Sequence, residues 1–260
     1  MIEFIRSSSI YSYIECPARF YFQNIEKVKT PNKLALAFGT SIHKTLEMNF
    51  RQKIDTREDL GLNDVKDYYS SVADQEFSAV DKTEFAEEKP GEVKDSGIEL
   101  IEMYHKNVSP RIQPAQVELE VKVRFKGMPI GLSGTIDLID EDSVLVDHKT
   151  SSRDMQSVTE GYQVQVGGAY PILARAYTGN PVSAVRIDGL IRRNRKQPEG
   201  LIRHLQVIPD EGHFFRIFEQ VTAGIQQGVF FPNRGCMFCS RKYCKFWNEC
   251  EVKFGGRVKQ

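Results

Sequence analysis

The chain has 260 residues, and its 35 Lys and Arg balance 35 Asp and Glu. Zero net charge excludes a uniformly basic nucleic-acid-binding surface, so any phosphate-binding region must be local. The length allows one large domain or two small ones with a core needing no covalent staple, and no apolar run is long enough to span a membrane.

The N-terminus, "MIEFIRSSSIYSY", lacks the charged, apolar and small-residue regions of a signal peptide, which predicts a cytoplasmic protein with reduced thiols. "SSSIYSYIECPARFYF" opens with serines able to cap a helix carrying Ile10, Tyr13 and Ile14 at helical spacing, interrupted by Pro17. "LALAFGTSIHKTLEMNF" predicts a second helix with Ile42, Leu46 and Phe50 on one face. Residues 56–108 are charged and read as mostly helical, with a turn at "EEKPGE".

The periodicity then changes. "AQVELEVKVRF" alternates with period two, as a half-buried strand does; "GMPIGLSGTIDLID" and "EDSVLVDHKT" supply a second strand and a short third. "SVTEGYQVQVGGAYPILARAY" returns to helix. "VSAVRIDGLIRR" and "GLIRHLQVI" form a predicted hairpin around the basic loop "NRKQPE". A last helix, "DEGHFFRIFEQVTAGIQQ", precedes a cysteine-rich end. The expected architecture is an α/β layered domain with a helical insertion before the sheet.

Asp137 lies near the end of one apolar strand, Asp147 near the end of the next, and Lys149 two residues beyond. Alternation puts Asp147 and Lys149 on one face and turns His148 away. If the two strands pair, Asp137 joins that face. Two carboxylates and an ammonium at adjacent strand ends suit Mg²⁺, which prefers oxygen ligands and lowers the pKa of a bound water that can attack a phosphodiester.

The ordered set "SSSIYSYIECPARFYF", "FGTSIHKTLE", "SGTIDLID" and "LVDHKTS" resembles the PD-(D/E)XK nucleases of the RecB-type branch over nearly the whole chain, with residues 51–110 as a variable insertion. The resemblance implies a restriction-endonuclease-like core, a mixed central sheet flanked by helices, between an N-terminal helical region and a C-terminal cysteine segment. It implies a single nuclease domain over 1–260, divided into 1–110, 111–209 and 210–260. It also implies DNA cleavage with Mg²⁺ or Mn²⁺ held by His43, Asp137, Asp147 and the backbone carbonyl of His148, and with Lys149 as the third catalytic residue. The branch usually carries Gln-x-x-x-Tyr on the following helix. Here Gln163 and Gln165 precede Tyr170 by seven and five residues, and Gln163 would share a helix face with Tyr170. The proline of the superfamily name is absent before Asp137.

Four of the five cysteines read Cys236-x2-Cys239-x4-Cys244-x5-Cys250, and the fifth is Cys16. Zinc accepts four thiolates, but only one Cys-x2-Cys knuckle is present, and ferredoxin spacings do not match. One cysteine before the core and three after it resembles the iron–sulfur subset of RecB-type nucleases, such as the AddB nuclease domain and CRISPR adaptation nucleases. That likeness implies a 4Fe–4S cluster on four of the five; no trio here matches the subset's usual C-terminal spacing of two then five, and the compact unit "CSRKYCKFWNEC" favours Cys16, Cys239, Cys244 and Cys250, with Cys236 as the alternate ligand. A tie across about 220 residues removes loop entropy worth roughly 5 kcal/mol.

Arg192, Arg193, Arg195 and Lys196 surround the predicted hairpin tip, as phosphate contacts or as a solvated turn. Tyr11, Phe20, Tyr21 and Phe22 near Cys16 could stack on unpaired bases or pack in the core. The expected function is a metal-dependent DNA exonuclease acting on single strands or frayed ends in recombination, repair or phage- or CRISPR-related processing. The resemblance suggests digestion from 5′ ends and helicase or recombination partners. The rival reading is a zinc-stabilised DNA-binding module on an idle nuclease fold.

Overall fold

The computed structural model describes residues 2–81, 88–194 and 199–255. The chain opens with a strand too short to show alternation, β1 (Phe4–Arg6), then α1 (Ser7–Glu15). The serines do not cap α1. Arg6 occupies the cap position without a side-chain bond, and Ser7 is a buried helical residue. Cys16 is extended, and Pro17 opens α2 (Pro17–Phe20) at a position where its missing N–H costs nothing. A π-helical turn follows at Tyr21–Ile25.

The insertion is a helical layer of α3 (Leu34–Thr56), α4 (Leu62–Ser78) and α5 (Pro90–Asn107). Ile42, Leu46 and Phe50 are buried on the expected face of α3. Pro90 of the anticipated turn is the first residue of α5. The remaining strands are β2 (Pro114–Val123), β3 (Gly131–Asp140), β4 (Val144–Ser151), β5 (Ala184–Ile191) and β6 (Leu201–Val207).

β2, β3 and β4 pair antiparallel in sequence order, as do β5 and β6. β4 and β5 are parallel, joined by a crossover through α6 (Glu160–Tyr162), a π-helical segment (Gln163–Ala169) and α7 (Tyr170–Thr178). β1 adds a parallel partner to β3. β2 lines one edge of β3 over residues 132–140, so β1 and β4 share the other edge, β1 at its start and β4 at its end.

The sheet separates two cores. Leu145, Val185, Ile187 and Val207 pack with residues of α1, α7 and α8 (Glu211–Gln226). Leu138, Val146 and Leu190 pack with α3, α4 and α5. Leu145 and Val146 thus face opposite layers, as strand alternation requires.

The two ends of the chain meet. Ala18 N–H donates to Phe231 O at 3.1 Å, Tyr13 Oη to Val229 O at 2.7 Å, and Asn233 Nδ2 to Glu15 O at 2.9 Å. Phe22 stacks on Phe246, just before α9 (Trp247–Phe254), with ring centres 5.8 Å apart. Among the described residues no helix is long and apolar enough to cross a membrane.

Candidate active site

β4 stays beside β5 for eight residues but pairs with β3 at only two positions, Leu138 with Val146 and Ile139 with Leu145. Beyond Val146 the two strands part, and Asp137 and Asp147 stand in the fork. The parting frees the backbone N–H of His148 from the ladder, and it donates to Asp137 Oδ2 at 2.7 Å. Asp147 and Lys149 share a strand face as alternation predicts, with Lys149 Nζ donating to Asp147 Oδ1 at 2.8 Å.

α3 lays His43 across the mouth of the fork, its Nδ1 3.6 Å from Asp137 Oδ2 and 4.0 Å from Glu118 Oε1. Among the described residues, His43, Glu118 and Asp137 are the group whose ligand atoms all lie within 4.8 Å of one another. Asp147, expected in that set, lies outside this group with its Oδ1 bonded to Lys149, and Glu118, not expected, lies within it. Glu118 joins the site through the β2–β3 register: Val117 faces Leu138 and Leu119 faces Ile136, which sets Glu118 across from Asp137. Its φ of 48° lies in the left-handed region, a strained conformation of the kind that recurs at functional sites. The sequence signal was an acidic residue at an out-facing position of "VELEV", and only the register singles it out.

The electrostatics show a shortage of positive charge. Asp147 and Asp137 lie beside one ammonium, Lys149, and Glu118 lies beside Asp137. Burial and the charges of Asp137 and Glu47 push Glu118 up to about 8. Burial outweighs the nearby Lys149 charge and leaves Asp147 raised to about 6. Burial opposes the charge on Lys149, but Asp147, Tyr170 and Asp137 hold its pKa above the ordinary value, so it remains an ammonium. His148 is lowered to about 4 by burial and is neutral. Asp147 Oδ2 is buried with no hydrogen-bond partner, a costly arrangement in a protein interior. A divalent cation fits this donor set, since it supplies the missing charge to hard oxygen ligands and an imidazole.

A pH dependence follows. Glu118 keeps a proton at neutral pH that a bound cation must expel. Its folded pKa lies above its unfolded value, so the contribution of Glu118 to metal-free stability falls as pH rises from about 4.3 to its folded value and is level beyond. Mn²⁺ affinity is expected to rise about tenfold per pH unit between pH ~6 and ~8, then to flatten. Calorimetry in buffers of different ionisation enthalpy would count the released proton, and Glu118→Gln should remove the slope.

Two clefts meet at His43. One is lined by Arg6, Ser7, Lys122, Asp137, Lys149, Gln165 and Tyr170, the other by Lys44, Glu47, Glu118 and Thr150. The π-helical segment decides which glutamine reaches the first cleft. π geometry brings residues five apart together, so Gln165 Nε2 donates to Tyr170 Oη at 2.7 Å. Gln163, expected to share a face with Tyr170, instead donates to Ile208 O at 2.7 Å.

The hairpin arginines are engaged elsewhere. Arg192 pairs with Glu88 and lies over the Phe38 ring, while Arg193 Nη1 is 3.7 Å from Glu99 Oε2. Both pair with acidic residues of the helical insertion. Arg195 and Lys196 lie outside the described residues. Arg6 and Lys122, which motif reading passed over, are the basic residues that join Lys149 along the cleft. Of the aromatics near Cys16, Phe20 and Phe22 are buried core residues, and Tyr21 packs against Phe22 and Phe230.

All five cysteines are free and line one small cavity, together with Ala18, Phe22, Phe246 and Trp247. Burial, then the neighbouring Cys16, pushes the thiols of Cys239 and Cys250 up, Cys250 to about 11. Burial does the same for Cys244. Among the described residues no three cysteine sulfurs come within 4.8 Å of one another.

A family model for the PD-(D/E)XK nuclease superfamily matches residues 7–251. The chain belongs to this superfamily. A mixed sheet flanked by helices is the corresponding fold. PD-(D/E)XK nucleases usually use divalent metals, consistent with the acidic cluster. A solved protein from Eubacterium rectale, provisionally described as an exonuclease, is similar at 14% identity and a TM-score of 0.62, over 99% of this chain and 90% of that one. SSO0001 is also 14% identical, over 94% and 96% of the two chains, at a TM-score of 0.38 that carries no argument. No curated protein matches significantly.

Proposed function

We propose that this PD-(D/E)XK protein is a Mg²⁺- or Mn²⁺-dependent DNA exonuclease of the RecB-type branch, acting on single strands or frayed ends in recombination, repair or phage- or CRISPR-related processing. The whole chain is read as one nuclease domain. The observation that carries this reading is the grouping of His43, Glu118 and Asp137 ligand atoms within 4.8 Å of one another beside the Asp147–Lys149 pair, with Asp147 Oδ2 buried and unpaired. His43, Glu118 and Asp137 would hold the cation, with Asp147 and the His148 carbonyl completing its surroundings. A cation there supplies Lewis acidity and a water of lowered pKa. Lys149, fixed by Asp147, orients the nucleophile and offsets charge developing on the phosphate. Gln165 and Tyr170 flank the scissile region, and Arg6 and Lys122 hold phosphates on either side.

The five cysteines around one cavity support a 4Fe–4S cluster as second cofactor. A tetrahedral zinc site needs sulfurs about 3.8 Å apart. A cubane holds its thiolates on separate corners and spreads them wider.

The test is digestion of end-labelled single- and double-stranded DNA with Mg²⁺, Mn²⁺ or chelator. Metal-dependent loss of terminal nucleotides is expected, and no cleavage under any of these conditions would remove the proposal. Binding measured across salt concentrations checks the track. Lys122→Ala should lower the log–log slope on single strands by about 0.7. Arg193→Ala, already paired with Glu99, should leave it nearly unchanged.

A further inference from the structure

Behind the acidic site runs a buried chain of polar groups that the cleavage chemistry above does not use. His148 lies on the sheet face opposite Asp147 and Lys149, stacked on Phe50 of α3 and edge-on to Tyr104 of α5. Its Nε2 is 3.0 Å from Tyr104 Oη, and the same hydroxyl is 2.8 Å from Asp188 Oδ2 on β5. Asp188 is fully buried, and its Oδ1 is 2.6 Å from His204 Nδ1 and 2.8 Å from Arg186 Nε.

Counting protons fixes the direction of every bond in this chain. Burial opposes the charge on Asp188, but the hydrogen bond from His204 and the charge of Arg186 hold its pKa below the ordinary value. As a carboxylate it can only accept. Burial keeps Tyr104 a phenol, with a single proton to give. That proton goes to Asp188, so Tyr104 Oη can only accept from His148. The His148 proton therefore sits on Nε2, and Nδ1 is bare.

Nδ1 lies 3.7 Å from Asp137 Oδ2, the oxygen that already accepts the His148 backbone N–H. A proton on Nδ1 would aim a second donor from the same residue at that oxygen and compete with a cation for its lone pairs. We propose that Tyr104 and Asp188 are positioning residues of the site: by holding the His148 proton on Nε2 they leave Asp137 Oδ2 open to the cation. The purpose given to the relay rests on the metal-dependent reading above, whereas the tautomer itself does not. Outer-shell partners of this kind typically change metal affinity or activity by about 10- to 100-fold when removed.

The decisive measurement needs no DNA. Nitrogen-15 NMR of histidine-labelled, metal-free protein, with His148 assigned by its loss in His148→Gln, reports which ring nitrogen is protonated. The Nε2–H form is expected, and an Nδ1–H form would overturn the relay. Tyr104→Phe should then populate the Nδ1–H form and weaken calorimetric Mn²⁺ binding about 10- to 100-fold. Tyr69→Phe is the control, since it removes a buried hydroxyl without a hydrogen-bond partner elsewhere in the same helical layer and should move neither readout. An unchanged tautomer and unchanged affinity in Tyr104→Phe would also overturn the proposal. If Tyr104→Phe does not fold, the tautomer of the unsubstituted protein decides alone. An unsubstituted protein that binds no Mn²⁺ overturns the assigned purpose together with the metal-dependent reading, whatever its tautomer.

Discussion

Asp147→Asn is expected to lower DNA cleavage at saturating Mn²⁺ by about 10³-fold or more, equivalent to roughly 4 kcal/mol of transition-state stabilisation. The substitution keeps the volume of a fully buried side chain and leaves Lys149 an oxygen acceptor, so the strand fork should persist. It removes the charge that faces the cation and fixes the lysine. Asp147→Ala tests the same chemistry less cleanly, because it strands a buried ammonium, and breaking such a pair costs about 3–5 kcal/mol. The two variants should be equally inactive, with Asp147→Ala melting at the lower temperature. End-labelled single strands report the rate and thermal unfolding reports the fold. An Asp147→Asn protein that cuts at the unsubstituted rate would remove Asp147 from the site.

The second large effect concerns the cysteine cavity. If the cavity holds the proposed cluster, the protein purified without oxygen is brown, and Cys16→Ser, Cys239→Ser and Cys250→Ser are expected to lose iron and colour, because serine is a poor ligand for iron. Cys236→Ser should keep both. Opening a tie of about 220 residues forfeits roughly 5 kcal/mol, which for a chain of this size lowers the melting temperature by about 10–20 °C. The ends should stay associated, since Phe22 on Phe246 and the bonds from Ala18, Tyr13 and Asn233 do not involve the sulfurs as ligands. Bleaching of Cys236→Ser with retention of colour in Cys250→Ser would exchange those two ligands. A colourless unsubstituted protein that carries only zinc would end the cluster reading, leaving the acidic site to stand on its own geometry.

The sequence by itself determined what is local. Period-two alternation set Asp147 and Lys149 on one strand face and His148 on the other, and the structure keeps that division. The 3.6-residue repeat through Ile42, Leu46 and Phe50 marked the buried face of the helix that presents His43. Pro17 marked the break between the first two helices. These features depend on neighbours a few residues away, so spacing carries them.

Tertiary structure decided what depends on long-range pairing. Glu118 enters the site because the β2–β3 register sets it across from Asp137, and one out-facing acidic residue of an alternating strand looks like another until that register exists. β1 has only three residues, and it is a strand because β3 offers it an edge. A π-helical segment shifted the helix phase, selecting Gln165 over Gln163 for Tyr170. Arg192 and Arg193, basic and exposed in appearance, are drawn to Glu88 and Glu99, about a hundred residues earlier. Charge and periodicity say which partners a side chain can take. Which partner it meets is fixed only when the sheet closes and brings distant segments within a few ångströms.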